Sequence, residues 1–103
     1  MIHRFIWQFP LDHPALPGHF PGLPIAPGAV LLDRLELYAH QVPEIAGRTL
    51  RLEHGKFLQV CEAGDILTFV LHVREDGAFA FRIESDSGVL AQGLMVDDSP
   101  TST

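Results

Sequence analysis

A single cysteine, Cys61, leaves this 103-residue chain without an internal disulfide. The fold must then rest on an apolar core, and a reducing compartment is the expected setting. No histidine partner is apparent for Cys61 in the sequence, so it reads as a small buried strand residue rather than a nucleophile. Cations are scarce as well: seven Lys and Arg stand against thirteen Asp and Glu, for a formal charge of −6. Without a basic run, general nucleic-acid binding is excluded, because phosphate neutralisation needs clustered Lys and Arg. A local basic surface stays open if folding gathers Arg4, Arg34, Arg48, Arg51 and Lys56. Long apolar runs are missing, and the start Met-Ile-His-Arg-Phe lacks the form of a signal peptide, so no membrane association and a cytoplasmic location are expected. The histidines His3, His13, His40, His54 and His72 show no H-x-H or H-E-x-x-H spacing, and no metal site is expected. His13, in Asp12-His13-Pro14, reads as a turn residue.

What is present is the composition of one globular domain: 47% hydrophobic and 19% charged residues. A domain over residues 1–96 with a disordered tail over 97–103 is expected. Residues 2–9 are rich in Ile, Phe and Trp and stop at Pro10, which predicts a first strand. Residues 10–28 hold six prolines and three glycines, a stiff irregular loop. From Gly28 to about Gln41 the chain is free of proline and internal glycine and rich in Leu and Ala, which predicts the main helix, ended by Val42-Pro43. Its polar stripe is narrow, limited to Asp33, Glu36 and His40, so most of its circumference should be covered.

After residue 48 the period becomes two, clearest in Leu67, Phe69, Leu71 and Val73 and in Phe79, Phe81 and Ile83. Asp76-Gly77 and Ser87-Gly88 read as hairpin turns. Strands near 49–60, 65–75, 78–85 and 89–96 follow, each with one buried face, as a four-strand meander. The expected class is α+β, with an antiparallel sheet and one helix against its concave face.

One stretch looks built for chemistry: Gly18-His19-Phe20-Pro21-Gly22, then Pro24, Pro27-Gly28 and Asp33. It sets a titratable histidine and a carboxylate around a helix start. There the first-turn N–H groups lack intrahelical partners and the dipole favours negative charge. Taken singly, Asp33 reads as a solvated helix residue, His19 as a loop histidine, and the prolines and glycines as a rigid connection. Their joint spacing is what points to a site.

That spacing resembles the hotdog-fold 3-hydroxyacyl-ACP dehydratases, whose pattern is G-H-F-P-G-x-P-x-x-P-G followed five residues later by Glu or Asp. Residues Gly18 to Gly28 and Asp33 match it throughout. Lys56-Phe57-Leu58 and Gly64-Asp65-Ile66-Leu67 are similar to the family's K-F-x-x-P-V-x-P-G-D-x-L, with Val60-Cys61 and Ala63 where prolines are often found. The resemblance covers roughly residues 12–96. It implies a hotdog fold, with the sheet wrapped around the helix, and a homodimer whose sites draw histidine and acid from opposite subunits. It also implies no cofactor beyond the phosphopantetheine of acyl carrier protein, which carries the substrate. Dehydration needs a base for the C2 proton and an acid for the leaving hydroxyl. His19, with a reference pKa of about 6.5, is the expected base; Asp33, at about 3.9, is the expected acid if an apolar cleft or a bound water supports it. The Gly28 N–H is the expected oxyanion donor. Phe20, Pro27 and Ala29 complete the expected substrate-binding set. Leu37 stands where this family often carries Gln, and Glu36 and Tyr38 are turned about 100° to either side of it. A hotdog thioesterase and a non-catalytic acyl-binding or partner subunit are the competing functions.

Overall fold

The alternation of large apolar side chains decides where each strand turns its faces. In the computed structural model, which describes residues 1–10 and 28–98, five strands form one antiparallel sheet. They are β1 (Ile2–Gln8), β2 (Leu50–Phe57), β3 (Ile66–Val73), β4 (Phe79–Ser85) and β5 (Gly88–Asp97), with helix α1 (Gly28–Ala39) between β1 and β2. The proline-rich loop lies outside the described residues, as does 99–103. Phe5, Phe69, Ile83, Ala91 and Phe57 are register partners in turn and make one row across all five strands. Residues two apart share a face, so this row and its neighbours Leu67, Leu71 and Phe81 form an apolar floor, buried except at its two edges, where Phe5 is half-buried and Phe57 exposed.

Helix α1 buries Leu31, Leu35 and Ala39, spaced four apart so that they stack on one side. Full burial of a leucine contributes about 1.5–3 kcal/mol, and Leu31 and Leu35 are 2% and 0% exposed. The ordered helix stops at Ala39 rather than near Gln41. There Gln41 N–H donates to Tyr38 and Val42 N–H to Ala39, i to i+3 bonds that tighten the last turn. Val42 and Ile45 then carry the buried seam past Pro43. No helix among the described residues is long and apolar enough to cross a membrane.

Both predicted hairpins form. At Asp76-Gly77 the Asp76 carboxylate accepts from Ala78 N–H at 3.0 Å, and Gly77 takes φ 84°, a conformation open to glycine at little cost. The four later strands are not, however, a simple meander. The order is β1-β3-β4-β5-β2, so β2 lies beside β5 at the far edge and β3 beside β1. Periodicity tells faces, not neighbours. Between β2 and β3 an eight-residue connection carries the chain across the sheet; its turn, where Asp65 N–H donates to Glu62 C=O beside Gly64 at φ 91°, leads into β3 without making the two strands a hairpin. The predicted buried face of β2 is also absent, because an edge strand with helix on one end only leaves seven of its eight residues exposed. Strand β5 runs through Asp97, where the tail was expected to begin. Asp97 pairs with Arg48, and Asp98 with Arg51.

At Gly93 a Cβ would collide with His54 O and stand 2.8 Å from Gly55 Cα. Backbone cannot yield as a side chain can, so Gly93→Ala should cost about 3 kcal/mol, the upper end of usual overpacking penalties. The gain from a stiffer unfolded chain, about 0.4–1 kcal/mol, is too small to offset it. Urea unfolding checks this, and an unchanged midpoint would contradict the packing.

Candidate active site

Helix α1 crosses the sheet from one edge to the other. Its start lies against Phe57 of β2, while its last turn lies on β1 and β3, where Tyr38 stacks on Phe5 at 4.6 Å and meets Phe69 edge-on at 5.3 Å. Gly28 and Ala29 open the helix, so their N–H groups belong to the turn without intrahelical acceptors. Asp33 is five residues on, about 7.5 Å along the axis, and helical side chains lean back toward the N-terminus. Carboxyl and first-turn N–H groups therefore address the same end of the helix. His19, Phe20 and Pro27 lie outside the described residues.

Asp33 is exposed and forms the wall between two hollows. One, about 110 Å³, is lined by Trp7, Val30, Asp33, Arg34 and Leu37; the other, about 330 Å³, by Asp33, Glu36, Leu37 and His40. Leu37 is 57% exposed and, like Asp33, lines both hollows. Of its two sequence neighbours, Glu36 joins the larger hollow, its carboxylate 3.6 Å from His40 Nε2. Tyr38 instead turns into the core. The polar stripe of the helix is thus as expected, but Leu37 widens it, and in a single chain this face is open.

Arg34 holds its guanidinium 4.4 Å from the Trp7 ring centroid and 5.8 Å from that of Tyr38, a stacked cation on an aromatic face. It borders the smaller hollow. Nothing local in the sequence singles out Trp7 or Arg34 as site residues, although Trp7 shares the inward parity of Phe5. The basic residues do not gather: Arg4 and Lys56 lie in one row of the outer sheet face with Arg82, Arg34 is on the helix, and Arg48 and Arg51 bind the end of β5.

Five antiparallel strands wrapped on a central helix, with an acid one and a half turns past a glycine start, define a hotdog protein. The profile of the ApeI-like family, described as ApeI dehydratase, matches residues 2–94, and the chain belongs to that family. The 3-hydroxyacyl-[acyl-carrier-protein] dehydratase FabZ of Rickettsia felis is 28% identical over 97 residues, covering 86% of this chain. This chain spans 66% of that protein's length, just under two thirds. A chain of the dehydratase heterocomplex ApeI:P from Xenorhabdus doucetiae has the same fold, with a TM-score of 0.81 at 23% identity over 92% of this chain and 85% of its own. An uncharacterized protein from Erwinia carotovora subsp. atroseptica gives 0.80 at 26%, over 94% and 84%.

Cys61 is buried, as expected, although it lies in the connection after β2 rather than in a strand. Burial, then the charges of Asp65 and Glu62, push its thiol up from 9.0 to about 12, which leaves it unfit as a nucleophile. The folded chain keeps this proton where the unfolded chain has lost it. The contribution to stability is therefore full below pH 9.0 and lost as pH rises toward about 12. Cys61→Ala should flatten that decline, which urea midpoints on either side of pH 9.0 would show. An equal decline in the variant would rule out the thiol as its source.

Proposed function

We propose that this protein dehydrates 3-hydroxyacyl thioesters, carried on the phosphopantetheine of acyl carrier protein, to trans-2-enoyl thioesters. The observation that carries the reading is the glycine-started helix with Asp33 five residues on, in a chain of a dehydratase family. In the proposed reaction His19 takes the C2 proton, and the C–H electron pair moves toward the carbonyl. The thioester oxygen, gaining charge, is held by Gly28 N–H. The C2–C3 double bond then forms as the C3–O bond breaks, and Asp33 gives its proton to the departing hydroxyl, releasing water. In this reading Phe20, Pro27 and Ala29 are the substrate-binding residues. The setting proposed is fatty-acid, polyketide or aryl-polyene-type synthesis in the cytoplasm.

A homodimer completes the site in this reading, His19 of one subunit meeting Asp33 of the other. Two observations support it. The helix face with Asp33 and Leu37 is uncovered in one chain, whereas a carboxyl proton donor works best away from water. Edge strand β2 is also long and open, with Leu52, Phe57 and the following Leu58 and Val60 38–63% exposed, an unusual surface for a lone soluble chain.

The assay is absorbance of the enoyl product from a 3-hydroxyacyl pantetheine thioester. Product should form, and His19→Ala and Asp33→Asn should each lower the rate about 10²–10⁴-fold with the fold retained. Full activity in His19→Ala would exclude it as the base. Free thiol without enoyl would instead show a hydrolase, and silence of the unaltered protein a non-catalytic subunit.

A further inference from the structure

The glycine that opens the helix is not left empty for substrate. A Cβ on Gly28 would stand 2.8, 3.0 and 3.2 Å from Cζ, Cε1 and Cε2 of Phe57, well inside normal carbon contact at about 3.5–4.0 Å. The close approach that glycine allows is taken by an aromatic ring. Phe57 ends β2 opposite the small Ala91, and its ring packs against the helix start. The residue remains 51% exposed. Its ring therefore walls the side of the helix start on which a Gly28 side chain would project.

We propose that Phe57 sets substrate choice at C2 of the acyl chain, admitting unbranched 3-hydroxyacyl thioesters and rejecting those with a C2 methyl group. This rests on the dehydratase reading, in which the thioester oxygen is bound at Gly28 N–H. C2 is then two bonds from the bound oxygen, and a ring seated on the Cα of the same residue faces whatever C2 carries. A C2 methyl group leaves a C2 proton for the base, so the chemistry itself would still be possible and the exclusion is steric. A single extra carbon in a tight apolar site is discriminated by about 10–200-fold.

The test is kcat/KM for pantetheine thioesters of 3-hydroxybutyrate and of both diastereomers of 2-methyl-3-hydroxybutyrate, in the unaltered protein, Phe57→Leu and Phe57→Ala. The ratio between two substrates in one preparation does not depend on how much of it is folded. The unaltered protein should prefer the unbranched substrate at least tenfold; Phe57→Ala should narrow that preference about tenfold, mainly through the branched substrate, with Phe57→Leu between. An unaltered ratio in both variants, or no preference in the unaltered protein, would overturn the role of Phe57 alone. No enoyl from any substrate in the unaltered protein would overturn the dehydratase reading beneath it.

Discussion

The seam where Leu31, Leu35 and Ala39 press onto the apolar floor of the sheet is the contact on which everything else depends. It buries two leucines almost completely, worth about 3–6 kcal/mol together against a net stability of about 5–15 kcal/mol for a small domain. Because three residues four apart fix both the rotation and the direction of a helix, the seam also decides what is left over. Ala29, Asp33, Glu36 and Leu37 face away from the sheet because the other side is committed to it. The surface ion pairs, all of them at least partly exposed, cannot compete with this, since such pairs contribute about 0–1 kcal/mol each.

The seam places the two ends of the helix on different strands. Its last turn is fixed by Tyr38 on Phe5 and Phe69, its first by Gly28 beneath Phe57. One edge of the sheet is thereby tied to the helix start, where the chemistry is proposed. That edge is also the exposed one. A second copy seated along β2 would cover an open row of backbone groups and apolar side chains, and it would act on the site through Phe57 with no separate device.

Much of this was legible in the chain. Two-residue alternation gave β3 and β4 to within a residue or two, because their inward residues are large and their outward ones mostly are not. Asp76-Gly77 and Ser87-Gly88 announced the two hairpins among the described residues. The helix start at Gly28 and the position of Asp33 followed from the proline-glycine pattern. Strand order was not legible, since the Gly64 turn between β2 and β3 looks locally like any hairpin signal, and nothing local distinguishes a neighbour from a distant strand. The exposure of β2 was hidden for the same reason. The Phe57 contact with Gly28 joins residues 29 apart in sequence, and only the row of partners Phe5, Phe69, Ile83, Ala91 and Phe57 brings it into view. His19, Phe20 and Pro27, the residues that carry most of the resemblance, lie outside the described structure, so their roles rest on the sequence pattern.

The central claim is a shared site in which His19 of one chain acts with Asp33 of another, and subunit mixing tests it most directly. His19→Ala and Asp33→Asn proteins, each inactive alone, would be unfolded and refolded together. Every mixed dimer should then hold one site with both groups intact, returning roughly a quarter of the unaltered activity from an equal mixture. A mixture that forms mixed dimers by mass yet stays as inactive as its components would contradict the claim.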